Sequence, residues 1–261
     1  MPIDSRAIRR SFNLTERNVD VWSVHTAGSS AVAEEFEQVL APDEKVRAAQ
    51  FRFSHLRRSF VLARGALRIL LGCYLDTSPA SIRFTYGLRG KPALAVPARV
   101  DFNASHSGDL AVFAFTAGCE IGVDVEQIHP IQHMQRIADQ FFCPEEAAEL
   151  MALPVNQRER SFFLCWTRKE AYIKAIGDGL SAPLDGFRVT LQQGQPARFI
   201  HIANDMSSAK AWTLHDLQLV PVYAAALAYR DTERLVAVSQ ILDPAELLSF
   251  PKTPLDSAAG Y

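Results

Sequence analysis

No stretch of these 261 residues stays apolar long enough to cross a bilayer. Runs such as Val220 to Ala228 fall well short of the roughly 20 residues a spanning helix needs. Cysteine is scarce and scattered. Cys73, Cys119, Cys143 and Cys165 form no CxxC pair. That spacing argues against a disulfide framework or a zinc site and for buried free thiols in a reducing compartment. Neither sign of charge dominates, with 27 Lys and Arg against 29 Asp and Glu and a formal net charge of -2. General binding to nucleic acid or to a membrane surface is therefore not expected, and any anionic partner must meet a local basic patch. The start of the chain carries Arg6, Arg9, Arg10 and Arg17 but no apolar core of a secretory signal, and Asp4 and Glu16 count against an organelle transit peptide. Also missing are a Walker A sequence, a kinase-type glycine loop and a G-x-S-x-G elbow. A cytoplasmic protein is expected. A hydrophobic content of 48% is ample for one large domain or two small ones.

The pattern of elements has the same grammar in both halves. Val19 to Val24 alternates as a strand, Ala31 to Leu40 is helical, and a longer helical region runs from Pro42 to about Tyr74 with a break at Ser54-His55. Strands are predicted at Ile82–Tyr86 and Leu94–Val96 around the turn Gly87 to Pro92, then at Val100–Phe102 and Leu110–Phe115 around Asn103 to Asp109. In the second half Glu120 to Glu126 is a strand, helices follow at His133–Gln140 and from Pro144, and a long helix spans Arg158 to Ile176, stopped by Gly177 and Gly179. Short strands then run through Phe187–Leu191, Arg198–Ile202, Ala211–Leu214, Tyr223–Tyr229 and Leu235 onward. No residue-level repeat is visible, so duplication is a topological expectation. The tail from Pro251 has the composition of a disordered segment.

Three segments carry chemistry. In Trp166-Thr-Arg-Lys-Glu-Ala-Tyr-Ile-Lys174 the helical period places Trp166, Glu170, Ile173 and Lys174 on one face. The apolar members draw the charged ones inward, where each needs a partner or an ion. The ordinary alternative is a surface i,i+4 pair. In Gly122-Val-Asp-Val-Glu126 a strand puts Asp124 and Glu126 on the same side. Paired carboxylates repel without a cation and suit Mg²⁺, unless both are simply solvated. Gly122 would let another backbone approach closely. In Asn103-Ala-Ser-His-Ser-Gly-Asp109 small polar groups lie between two strands, as either a phosphate cradle or a plain polar turn. Together these supply metal ligands, phosphate donors and a lysine, the equipment of phosphoryl transfer.

In order and spacing, the segments resemble the Sfp-type 4′-phosphopantetheinyl transferases, whose hallmarks are G-x-D-x-E, W-x-x-K-E-A-x-x-K, an upstream N-x-S-H-S and a G-K-P element, here Gly90-Lys91-Pro92. The resemblance runs from about Asp43 to Phe187. It implies an α+β fold, an α/β sandwich of two pseudo-twofold halves. Each half would hold a small, mainly antiparallel sheet with helices, and the active site would lie in the cleft between them. Residues 1–116 would form the half that contacts the nucleotide, 117–250 the half with the metal and transfer site, and 251–261 a tail. The implied activity moves the phosphopantetheine arm of coenzyme A, the co-substrate, onto a serine of an apo carrier protein from fatty-acid, polyketide or peptide synthesis. It depends on Mg²⁺ (Mn²⁺ would also serve) and releases adenosine 3′,5′-bisphosphate. Asp124, Glu126 and Glu170 would hold the metal. Ser105 and His106, with Asn103 in the same element, would contact coenzyme A phosphates, and Tyr86, Arg89, Gly90, Lys91 and Pro92 would line the nucleotide. Arg47 and Arg64 would meet phosphate, and Lys169 and Lys174 would neutralise charge at the transferred group. Glu146, its neighbour Glu145 or a metal-bound water would act as base. A monomer is expected. Two rivals predict different behaviour: a Mg²⁺-dependent phosphate hydrolase that needs no carrier, and a non-catalytic coenzyme A or carrier binder.

Overall fold

A computed structural model describes residues 12–87, 90–177, 183–203 and 206–250. Strand β1 (Asn18–His25) leads into helices α1 (Ser30–Glu37), α2 (Pro42–Ala49) and α3 (Ser54–Leu75), then strands β2 (Phe84–Tyr86), β3 (Pro92–Leu94), β4 (Asp101–Ser107) and β5 (Leu110–Thr116). The order then recurs as β6 (Ile121–Gln127), α4 (Met134–Phe141), α5 (Pro144–Ala152), α6 (Val155–Ile176), β7 (Phe187–Val189), β8 (Phe199–Ile202), the four-residue helix α7 (Met206–Ala209), β9 (Thr213–Asp216) and β10 (Tyr223–Tyr229). Strand β11 (Leu235–Ile241) and a short 3₁₀ turn, Pro244–Ser249, close the described chain. The fold is α+β. The expected tail and residues Arg89 and Gly179 lie outside the described residues.

Two principal sheets result, β11-β1-β5-β4 and β6-β10-β9. Strand alternation sorts their side chains. In β1, Val19 and Val21 join a core shared with Ile121, Val123, Val125 and Leu227 between the sheets, while Trp22 and Val24 face a second core under α1 and α3. A third core lies under α4, α5 and α6. The layers are thus helices, sheet, sheet, helices. Antiparallel pairing dominates, but β11 lies parallel to β1. Residues 235–250, which the sequence reading assigned to the second half, therefore complete the first sheet, and Ile241, Leu247 and Phe250 fill its helix-side core. No helix among the described residues is long and apolar enough to cross a membrane.

The structure also supplies the repeat that inspection of the residues missed. Glu44, third in α2, caps its own helix by accepting from the Ala41 N–H at 2.8 Å and pairs with Arg68 of α3 at 2.5 Å. Arg68 also donates to the Pro79 and Ile82 carbonyls that flank a 3₁₀ turn. Glu146, third in α5, accepts from the Cys143 N–H at 3.1 Å and pairs with Lys169 of α6 at 2.7 Å. Lys169 donates to Leu184 O and Phe187 O, again flanking a 3₁₀ turn. Both cations also lie over an aromatic ring, Phe84 and Phe187 respectively. Arg68 and Lys169 hold the same place in helices of equal length, which aligns the two lobes residue by residue.

Candidate active site

The packing of β6 on α6 begins at Gly122. A Cβ built there would lie 2.0 Å from Ala171 O and 2.4 Å from Ala175 N. Glycine on the strand and alanines four apart on the helix therefore bring two backbones into direct contact. That contact sets the register of everything beside it. Asp124 and Glu126, on the same strand side as Gly122, fall next to Glu170 and Lys174, the helix neighbours of Ala171 and Ala175.

Along β4 the polar segment is strand rather than turn, since β4 extends through Ser107. Asn103, Ser105 and Ser107 share one side of it and meet β6. Asn103 Oδ1 accepts from Val123 N at 2.9 Å, Ser105 Oγ from Val125 N at 3.4 Å and Ser107 Oγ from Gln127 N at 3.1 Å. Side chains thus replace the carbonyls of an ordinary ladder, and both strands run the same way along the seam. The seam satisfies edge N–H groups that would otherwise be buried without partners.

At this seam the Lys174 ammonium lies 2.6 Å from Asp124 Oδ1 and 2.8 Å from Ser105 Oγ, and Ser105 donates to the same Asp124 oxygen at 2.9 Å. Ser107 donates to Glu126 Oε2 at 2.7 Å. Asp124 Oδ2 and Glu170 Oε1 are buried without a hydrogen-bond partner. Burial pushes the Glu170 carboxyl up to about 7, Asp124 and Glu126 adding to the effect and Lys174 opposing it. Burial raises Asp124 and Glu126 as well. Unpaired, buried carboxylate oxygens are costly, and hard oxygen donors of this kind suit a divalent cation. Among the described residues, however, no three His, Cys, Asp or Glu side chains stand close enough together to hold a metal ion as they are placed. Lys174 supplies the counter-charge to Asp124.

His106 alternates to the opposite side from the serines and is exposed, yet its ring is crowded enough that desolvation lowers its basicity, with Lys174 and Arg47 opposing a further positive charge. Its neutral imidazole can accept or donate one hydrogen bond. Arg47 is exposed, with its guanidinium 5.3 Å from the Phe60 ring. Arg64 is paired with Glu44, donates to the Tyr86 hydroxyl and lies 4.4 Å over Phe84. Arg64 and Tyr86 thus form a basic, aromatic wall of the first lobe. Gly90, with φ of 78°, turns the β2–β3 hairpin before Lys91 and Pro92.

Other expected members stand elsewhere. Lys91 Nζ reaches across the lobes and donates to the carbonyls of Lys174 at 2.6 Å, Ala175 at 3.0 Å and Ile121 at 3.2 Å. Its ammonium caps the end of α6, where a cation also complements the helix dipole. Lys169 and Glu146 are both fully buried and satisfy each other, and Glu146 also accepts from Val189 N at 2.7 Å. The structure withdraws them from the cleft. As placed, each is the other's partner, and neither has surface open to the cleft. A cavity of about 470 Å³, lined by Lys91, Pro92, Leu94, Phe102, Ile121 and Gly177 among others, opens beside the hairpin rather than at the carboxylates. Ser107 lay within the N-x-S-H-S element without a role of its own, and Glu44 was given none. The period of two in Asn103, Ser105 and Ser107 was the available signal for the first.

Comparison with known proteins matches residues 120–228 to the 4′-phosphopantetheinyl transferase superfamily and residues 29–118 to the 4′-phosphopantetheinyl transferase N-terminal family. Over 214 residues the chain is 36% identical to the 4′-phosphopantetheinyl transferase HetI of Nostoc sp., covering 81% of this chain and 86% of that one. It is 31% identical over 160 residues to the 4′-phosphopantetheinyl transferase Sfp of Bacillus subtilis, covering 61% and 70%.

Proposed function

Because the chain belongs to the 4′-phosphopantetheinyl transferase superfamily, we propose that it transfers the phosphopantetheine arm of coenzyme A to a serine of an apo carrier protein. The observation that carries this reading is the meeting of Asp124, Glu126, Glu170 and Lys174 at one seam, with two buried acid oxygens left unpaired. A plain structural ion pair would leave none. Asp124, Glu126 and Glu170 would hold Mg²⁺, whose charge would offset that of the donor's diphosphate. The Lys174 ammonium, held by Asp124 and Ser105, meets charge developing on the phosphoryl oxygens. His106 and Arg47 would contact phosphate, and Arg64 and Tyr86 would line the nucleotide.

The carrier serine oxygen forms a bond to the β-phosphorus while the bridging bond to the α-phosphate breaks. The serine proton passes to Glu145 or to a water in the cleft, and adenosine 3′,5′-bisphosphate leaves with the electron pair of the broken bond. Catalysis is then mostly positional and electrostatic. The thiol of coenzyme A takes no part.

The test is incubation with coenzyme A, Mg²⁺ and a panel of apo carrier proteins, followed by intact mass. A phosphopantetheine adduct on the carrier serine is expected. Hydrolysis of coenzyme A without a carrier would replace this reading with the hydrolase, and binding of coenzyme A or carriers without transfer by the wild-type protein would replace it with the non-catalytic binder.

A further inference from the structure

We infer that Ser107 is a positioning residue, whose hydroxyl fixes the Glu126 carboxylate at the edge of the cleft. The inference rests on the proposed function and deepens it. Asp124 is oriented from two directions, by Ser105 and by Lys174. Glu126 has no such pair of anchors. Its hydrogen bond from Ser107 at 2.7 Å is the one that orients it among the described residues. A serine hydroxyl has one proton and two lone pairs. The Gln127 N–H, 3.1 Å away, is a donor and must use a lone pair, which leaves the single proton to point at Glu126 Oε2. The backbone of β6 thereby sets the direction of the hydroxyl.

Ser107 is itself held firmly. It ends β4, and the two-residue turn Gly108-Asp109 returns the chain at once to Leu110 of β5. Gly108 has φ of 53°, and a Cβ there would lie 2.6 Å from Gln127 Oε1 and 2.9 Å from the Tyr223 hydroxyl. The turn is thus pressed on the second lobe, and the Asp109 N–H donates to that same Tyr223 hydroxyl at 3.3 Å. The first lobe therefore delivers a hydroxyl to a carboxylate of the second at a location neither lobe could fix alone. Partners of this kind, one bond removed from a metal, orient its ligands and typically cost about 10- to 100-fold in metal affinity when lost.

The experiment compares wild type, Ser107→Ala, Ser107→Thr and Ser107→Cys. Mn²⁺ affinity is read by electron paramagnetic resonance with coenzyme A present, alongside thermal unfolding and transfer at varied Mg²⁺. Ser107→Ala is expected to weaken Mn²⁺ binding about 10- to 100-fold, and to raise the Mg²⁺ needed for half-maximal transfer by the same factor. Ser107→Thr, which keeps the hydroxyl, restores both, and Ser107→Cys falls between. Unchanged Mn²⁺ affinity in a folded Ser107→Ala or Ser107→Cys protein overturns the inference, whatever happens to the melting temperature, because a hydroxyl that only closes the seam would move stability alone. A wild type that binds Mn²⁺ but transfers nothing, with Ser107→Ala still weakened, overturns the proposed function and leaves the positioning role standing.

Discussion

Glu44 with Arg68 and Glu146 with Lys169 are the same device built twice, a buried glutamate that caps its own helix and clamps the next one to a 3₁₀ turn. Aligned on those pairs and on the sheet registers, the lobes diverge just beyond them. Glu170 and Lys174 of the second lobe correspond to Ile69 and Cys73 of the first, and Asp124 and Glu126 to Trp22 and Val24. Where one lobe places its carboxylates, the other has filled the space with core, Trp22, Val24 and Ile69 all being buried. Gly122, Ala171 and Ala175 correspond to Asp20, Leu70 and Tyr74, and Asp20 accepts from the Tyr74 hydroxyl at 2.8 Å. Larger side chains hold strand and helix apart in the first lobe, and their loss in the second brings the backbones together. The scaffold thus tolerates either a filled or a charged cleft, and the charged one requires the closer approach.

The comparison can be broken most severely at the clamps. Lys169→Met strands a fully buried Glu146 and should cost about 3–5 kcal/mol, measured by urea unfolding. Arg68→Met should cost less, because Glu44 keeps Arg64 as a partner. Equal losses would show that the clamps are not separated by that difference. Gly122→Ala comes next. Its Cβ would meet backbone, which cannot rotate away, so about 1–3 kcal/mol or more should be lost and transfer should fall with it.

Glu170→Gln sharpens the comparison in the other direction. With a folded-state pKa of about 7 against the ordinary 4.5, Glu170 favours folding most fully below pH 4.5, and that contribution is lost as pH rises towards 7. The amide should therefore flatten the fall of stability across that window, seen in thermal unfolding against pH, while transfer falls by orders of magnitude. A variant that is both active and no more stable at neutral pH would remove Glu170 from the charged cleft. The smallest effect is expected from Arg57→Ala. Its half-exposed pair with Glu37 should contribute only about 0.2–1 kcal/mol, in contrast to the buried clamps.

Much of this was legible in the residues. Period and breaker signals located the strand at Val19 to Val24, the long C-terminal helix and its stop at Gly177, whose φ of 79° ends the helix as glycine allows. Spacing put Asp124 with Glu126 on one strand side and Glu170 with Lys174 on one helix face, whereas the expectation that the two pairs meet came from the family resemblance. What could not be read was burial. Lys169 lies beside Glu170 in the chain, but consecutive helical positions differ by about 100°, enough to send one to the cleft and the other to the interior. Nor does Lys91 announce that it caps the far lobe's helix, since its partners are carbonyls, which every residue owns. Asn103 to Ser107 looked like a turn because its composition is polar. Its strand is stabilised by N–H groups of another strand that no local window contains.

The return of β11 to the first sheet gives the molecule a clasp. The chain passes from the first lobe to the second at residues 117–120 and comes back through residues 230–234, so a nick in the first passage would leave Leu235–Ile241 still hydrogen-bonded to β1 of the other fragment. Separately expressed pieces divided there should find each other and regain a working whole, whereas shortening the chain before Leu235 should leave the first sheet with a raw edge.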